Sequence, residues 1–268
     1  AKWRDPLTFK RDLYEENRVP EGTIGVDAGK FQMAIYGVPF NLEGMALDQF
    51  FIDRTEVTNR SYKEFIDSGG YKNPKFWKQE LKKDGQIIPW SEAMKLLVDK
   101  TGKPGPSTWE LGEYPEGQDD FPVSGVSWYE AAAYAAFRGK NLPSVYHWAR
   151  AAFPIREFMS GITPYIVTQS NLEGTGPAKV GEYPGIGSSG AKDLAGNVRE
   201  WCWNGAGEKR YCLGGKWEDP SYIFNNSIPL PAWDRSPGNG FRCVSYPEDA
   251  LPSPKLLGDI SSGFYDPY

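Results

Sequence analysis

The string "DLAGNVREW", residues 193 to 201, sets two carboxylates, Asp193 and Glu200, on either side of a Gly-Asn pair. Three readings fit that spacing: an acid/base pair, an oxygen cradle for a hard cation, or two solvated charges closing a turn. About twenty residues later comes "GGKWEDPSYIFNN", which crowds aromatic rings among acids and amides: Trp217, Glu218, Asp219, Ser221, Tyr222 and Asn225, with Trp233, Asp234 and Arg235 nearby. Rings supply rigid contact area and polar groups fix orientation, so this composition suits recognition of a peptide, a protein or a sugar. Taken singly, Trp217 and Tyr222 also suit a core. Asp219 would serve as an acid or base if burial raised its pKa.

Other chemistries are excluded by what the sequence lacks. His147 is the only histidine, so neither a three-His nor a two-His-one-carboxylate metal site can be assembled from this chain. It falls inside a candidate helix, where a packed imidazole is the ordinary role. There is no G-x-S-x-G elbow and no phosphate-binding loop, and "GIGSSG" at 185–190 lacks the dinucleotide fingerprint. Over 268 residues the net charge is −5, with basic residues scattered, which removes the positive field a nucleic-acid partner requires. No apolar run is long enough to span a bilayer, and a start at Ala1 in place of Met gives the expectation of a mature or trimmed form. Cys202, Cys212 and Cys243 are too few for a disulfide framework. A hairpin turning at Gly207 would set Cys202 opposite Cys212 and allow a bond, although buried free thiols are the commoner outcome.

The elements that must position these residues are short. Alternation around Phe51, Asp53 and Thr55 predicts a strand; Thr58 or Asn59 then caps a helix carrying Tyr62, Phe65 and Ile66 on one face, stopped by Gly69-Gly70. A second helix is expected from Ser91, inside a polar excursion over 71–120. Ser127 with Glu130 forms a capping box opening "SWYEAAAYAAFRGK", which Gly139 ends, and another helix follows Ser144. Beyond Pro154, Gly, Pro and aromatic residues predict short strands and long ordered loops. Helices early and irregular β structure late predict an α+β fold. Residues 1–20 read as an extension or linker, 21–250 as a single domain, and 251–268 as a tail or linker.

Five segments in register, "FFIDRTEVTNRSYKEFI" (50–66), "FPVSGVSWYEAAAYAAFRGKNLPS" (121–144), "DLAGNVREW" (193–201), "LGGKW" (213–217) and "NGFRC" (239–243), resemble the formylglycine-generating enzyme family, also called sulfatase-modifying factor domains. The resemblance implies a decorated C-type-lectin-like α+β domain. The family's oxidation of a substrate cysteine uses two cysteines and copper, and the matching positions here are Asp219 and Phe224; neither supplies a thiolate for Cu(I), so no copper is expected. Cys243 matches a family cysteine outside that pair, whose helix partner position is alanine here, near Ala135. Ergothioneine-type relatives use a three-His iron site, which this chain lacks. The resemblance also implies structural calcium, which takes oxygens at about 2.3–2.6 Å. The first site would use the Asp193 side chain, the Gly196 and Val198 carbonyls and Glu200; the second, Asn171, the Leu172 carbonyl and Glu173. The expectation is a calcium-stabilised binding or regulatory domain without the copper chemistry, with an oxidative enzyme working through Asp219 and Glu218 as the alternative. The excursion and tail resemble versions of the domain joined to bacterial kinases or hydrolases. Calcium use and missing redox cysteines point toward an extracytoplasmic location.

Overall fold

The computed structural model describes residues 19–31, 35–38, 45–153, 163–247 and 251–260. Almost all of the expected N-terminal extension, and the last eight residues of the tail, lie outside these. In chain order the strands are β1 (Thr23–Val26), β2 (Gly29–Phe31), β3 (Met45–Leu47), β4 (Phe50–Asp53), β5 (Lys82–Lys83), β6 (Gln86–Ile87), β7 (Arg199–Ala206), β8 (Lys209–Leu213), β9 (Ile228–Pro231), β10 (Asn239–Gly240) and β11 (Val244–Ser245). The helices are α1 (Asn59–Asp67), α2 (Trp90–Leu96), α3 (Trp128–Phe137), α4 (Val145–Ala152), α5 (Thr163–Thr168) and α6 (Pro254–Leu257).

The helix starts follow their caps. Thr58 accepts the Ser61 N–H at the head of α1 at 3.2 Å. Ser127 and Glu130 close a reciprocal box at α3, with the Ser127 N–H on Glu130 Oε2 at 2.7 Å and the Glu130 N–H on Ser127 Oγ at 3.2 Å. Losing such a cap costs about 1 kcal/mol. Ser144 caps α4, while α2 begins one residue before the expected Ser91. The six-residue α5 was not anticipated, its sequence being short and β-branched.

β4 shows no alternation, because it lies between β1 and β11, antiparallel to both, and Phe50, Phe51 and Ile52 are all buried. The second sheet runs β10-β7-β8-β9, with β10 parallel to β7 and the rest antiparallel. β7 and β8 form the expected hairpin, with Gly207 at positive φ in its turn. Its register sets Trp201, not Cys202, opposite Cys212. Successive strand residues face opposite sides; all three cysteines are buried and free, so the possible Cys202–Cys212 bond is corrected to two packed thiols.

Two hydrophobic clusters flank this hairpin. One gathers Phe50, Ile52, Trp148, Leu194, Leu213, Phe224 and Val244. The other gathers Tyr62, Phe65, Tyr134, Trp201 and Phe241 with Tyr71, Trp77, Trp109 and Leu97 of the excursion. That excursion is therefore polar outside and aromatic inside, and it packs on α1 and α3. The C-terminal stretch also differs from a linker as far as residue 260. Leu256 and Ile260 are buried, the Asn204 amide donates to the Leu256 and Gly258 carbonyls at 2.9 and 2.8 Å, and the Ile260 N–H reaches the Gly205 carbonyl at 2.8 Å. The "GIGSSG" loop turns its Ser188 and Ser189 N–H groups onto the Ala152 and Ala151 carbonyls, capping the C-terminal end of α4.

Candidate functional site

The "DLAGNVREW" turn enters β7 at its buried end. Both Glu200 and Arg242 are wholly inaccessible to solvent, and the guanidinium grips both carboxylate oxygens, Nε to Oε2 at 2.6 Å and an Nη to Oε1 at 2.7 Å. Trp148 of α4 adds its indole N–H to Oε2 at 2.9 Å. The remaining Arg242 donors reach the Asp53 and Lys192 carbonyls at 3.2 and 2.8 Å. Asp193, in a left-handed conformation with φ 56°, accepts the Gly181 N–H at 2.5 Å.

A third buried acid, Glu56, joins them. It accepts from Asn197 Nδ2 at 3.0 Å and from the Val198 N–H at 3.3 Å. Burial raises the pKa of all three carboxyls. Asp193 and Glu200 push Glu56 further up, while Arg242 pulls all three down. Sequence reasoning missed Glu56. It sits inside "RTEVTN", where only the pairing of β4 with its neighbours reveals that the chain runs inward.

The resemblance implies calcium at these positions. Glu200, its carboxylate ligand, already answers a guanidinium with both oxygens. At the second site the Asn171 amide nitrogen donates to the Gly176 carbonyl and to Asn197 Oδ1, at 3.0 and 3.1 Å. Glu173 accepts the Ser221 N–H at 3.1 Å. Among the described residues no group of three or more His, Cys, Asp or Glu side chains is arranged to hold a metal. Both Glu200 oxygens face Arg242 in this arrangement, and calcium at Asp193, Gly196, Val198 and Glu200 rests on the resemblance alone.

The second region begins where β8 ends. Gly214 and Gly215 both adopt positive φ, 92° and 77°. A Cβ on Gly214 would lie 2.9 Å from the Leu194 carbonyl oxygen, so only glycine lets the strand turn out against the 193–198 loop. The segment is then stitched to its neighbours: Trp217 N–H to the Asn197 carbonyl at 3.0 Å, and Gly174 N–H to the Trp217 carbonyl at 2.7 Å. Asp219 is buried under it. Arg199 of β7 reaches Asp219 with Nε to Oδ2 at 3.1 Å and an Nη at 2.8 Å from each oxygen; the Lys216 N–H adds a 3.0 Å bond to Oδ2. Phe224, at the other cysteine-matching position, is 1% exposed in the first core cluster.

The nine residues expected to line a ligand surface divide into two groups. Trp217 is half-buried, while Glu218, Ser221 and Tyr222 are exposed on one continuous stretch, with Glu218 ion-paired to Lys216 and Asn225 closing the 3-10 turn of Ser221–Asn225. Trp233, Asp234 and Arg235 serve the interior instead. The Trp233 ring packs on Tyr129 at 4.9 Å between centroids. Asp234 accepts from the Ser236 N–H and from Asn239 Nδ2, both at 2.8 Å. Arg235 pairs with both oxygens of the wholly buried Glu130 at 2.9 Å and donates to the Val98 carbonyl at 2.7 Å, pinning the excursion to α3. His147 is packed: its Nδ1 lies 2.6 Å from Ser144 Oγ, and burial pushes its pKa down to about 4.

Hercynine oxygenase of Mycolicibacterium smegmatis is 33% identical over 166 residues, covering 58% of this chain; the chain spans only 37% of that protein. The serine/threonine-protein kinase pkn1 of Chlamydia caviae is 29% identical over 59% of this chain and 24% of the kinase. Among solved structures, PvdO from Pseudomonas aeruginosa superposes with a TM-score of 0.56 at 18% identity, covering 83% of this chain and 93% of that one. This likeness carries the fold alone: a mixed, C-type-lectin-like α+β domain with few helices. No described helix is long and apolar enough to cross a membrane. The sulfatase-modifying factor enzyme 1-like domain family matches residues 10–247, and the chain belongs to that family.

Proposed function

We propose that this domain binds rather than transforms its ligand, recognising a peptide, a protein or a sugar on the surface formed by Trp217, Glu218, Ser221 and Tyr222. One observation carries the reading. Asp219, the residue in the best position to do chemistry, spends both oxygens on Arg199 and the Lys216 N–H, and its companion position is a core phenylalanine. Both carboxylate oxygens are thereby occupied by donors of the protein itself. What remains open to solvent is a rim of ring, hydroxyl and carboxylate. In this reading the domain works beside a catalytic partner, and its similarity to part of a chlamydial kinase supports a regulatory role next to a kinase or hydrolase domain.

The similarity to hercynine oxygenases supports a second reading, an oxidative enzyme in which Asp219 and Glu218 take part. The two separate in one experiment. Peptide and glycan arrays are probed with the full chain, and oxygen uptake is followed with hercynine as trial substrate, for wild type, Glu218→Ala and Asp219→Ala. Array binding with no oxygen uptake is the expected result. Uptake that disappears in either variant would overturn the binding reading.

A further inference from the structure

Two tyrosine rings stand in solvent beside the Ser221–Asn225 turn: Tyr222 is 72% exposed and Tyr36 is 67% exposed. The backbone under both is fixed. The Tyr36 N–H donates to the Asn225 carbonyl at 2.9 Å, and the Tyr36 carbonyl accepts from the Ser227 N–H at 2.9 Å and from Ser227 Oγ at 2.8 Å. Gly37, with φ +83°, lies so close to Ser227 that a Cβ would come within 2.6 Å of Oγ. In a 3-10 turn residues three apart share a face, so Tyr222 shares one with Asn225, whose carbonyl holds the Tyr36 N–H. The two exposed tyrosines therefore stand on segments that are hydrogen-bonded to one another.

Charge decides what such a patch suits. Lys216, the one basic residue among 171–176, 36–38 and 216–227, is paired with Glu218, and the nearby Arg199 is committed to Asp219. Among the described residues of these segments no unpaired cation is left for a phosphate or a free carboxylate. The described large exposed aliphatic side chains, Ile87, Leu96, Leu111, Ile186 and Leu251, all lie outside these segments. The exposed Ser221 and Glu173 add a hydroxyl and a carboxylate.

We infer that the occupant of this surface is an uncharged carbohydrate. The C–H face of a sugar ring packs on the electron-rich faces of Tyr36 and Tyr222, and its hydroxyls meet Ser221 Oγ and the Glu173 carboxylate. Rings carried on a fixed backbone lose little freedom on binding, which favours a weakly interacting, rigid ligand. This inference rests on the binding-domain reading and narrows its ligand class.

The test uses the full chain on a glycan array, followed by calorimetric titration with tetrasaccharides of glucose and of N-acetylglucosamine and with a lysine-rich decapeptide as rival. Binding of an oligosaccharide is expected, weakened about tenfold or more by Tyr222→Ala and by Tyr36→Ala, each such factor being about 1.4 kcal/mol. Tyr222→Phe and Tyr36→Phe keep the ring and stay within about threefold of wild type. Absence of any glycan binding, or binding indifferent to both alanine variants, overturns the inference. If the decapeptide binds and Tyr222→Ala abolishes it, the carbohydrate assignment fails while the binding reading stands. If oxygen uptake tracks Asp219, both fail.

Discussion

Two acid–guanidinium pairs stand on β7, one residue apart in sequence and in opposite surroundings. Glu200 with Arg242 lies in the centre of the fold, sealed from water and bonded to Trp148. Arg199 with Asp219 lies at the margin, its side chains 17% and 11% exposed, beneath a stretch that reaches solvent. The alternation of a strand produces the difference: Glu200 turns toward the turn and α4, Arg199 toward the segment leaving β8. Each pair occupies a place where resemblance put an inorganic ion, calcium at the first and copper at the second. Each carboxylate is paired with a guanidinium, one pair within the scaffold and one under the rim.

The deep pair gives the largest expected effect. Arg242→Met leaves Glu56, Asp193 and Glu200 buried without their counter-charge, and breaking such a pair costs about 3–5 kcal/mol. Chemical denaturation should show a loss of that size or failure to fold at pH 8, partly recovered at pH 5. The sign follows from the raised carboxyl pKa values: the folded state binds more protons than the unfolded chain just above pH 4.5, so lowering the pH relieves the uncompensated charge. No recovery at low pH would mean that the acids are not carrying the penalty.

His147, beside Trp148 on α4, probes the same core with the opposite sign. Burial lowers its pKa from the ordinary 6.5 to about 4. The folded state therefore binds fewer protons between those values, and stability drains as pH falls from about 6.5 toward 4. Full titration would cost about 3 kcal/mol. Subtracting the pH profile of His147→Gln from that of wild type isolates this contribution, and a flat difference would contradict it.

The marginal pair is worth less. Asp219→Ala should lower stability by about 1–3 kcal/mol, because Arg199 keeps part of its solvation. Increased hydrogen exchange confined to 173–174 and 216–221 would locate the loss at the rim. Equal loosening of the 193–200 turn would erase the distinction between the pairs.

Much of this was legible before any coordinates. Caps at Thr58, Ser127 and Ser144 are local chemistry, and local chemistry is written in adjacent residues. The hairpin at Gly207 followed from the same kind of signal. What escaped depends on distant partners. Glu56 and Arg242 are 186 positions apart in the numbering and meet only through the sheets, so neither acid cluster nor counter-ion could be foreseen from spacing. Trp233 and Arg235 looked like rim residues because they follow the cleft segment closely, yet Glu130 lies far back in the chain and draws Arg235 inward. Tyr36 went unnoticed because nothing near residue 36 announces the bridge to Asn226.

The most direct measurement is calorimetric unfolding of the metal-stripped chain with millimolar calcium or excess chelator. Arg242 and Arg199 already supply the positive charge at both places, so the unfolding temperature should be the same in both. Ligand at a hundred times its dissociation constant adds about 2.7 kcal/mol. For a chain of this size that is a rise of about 5 °C or more, and such a rise in calcium, lost in Glu200→Gln, would contradict the account.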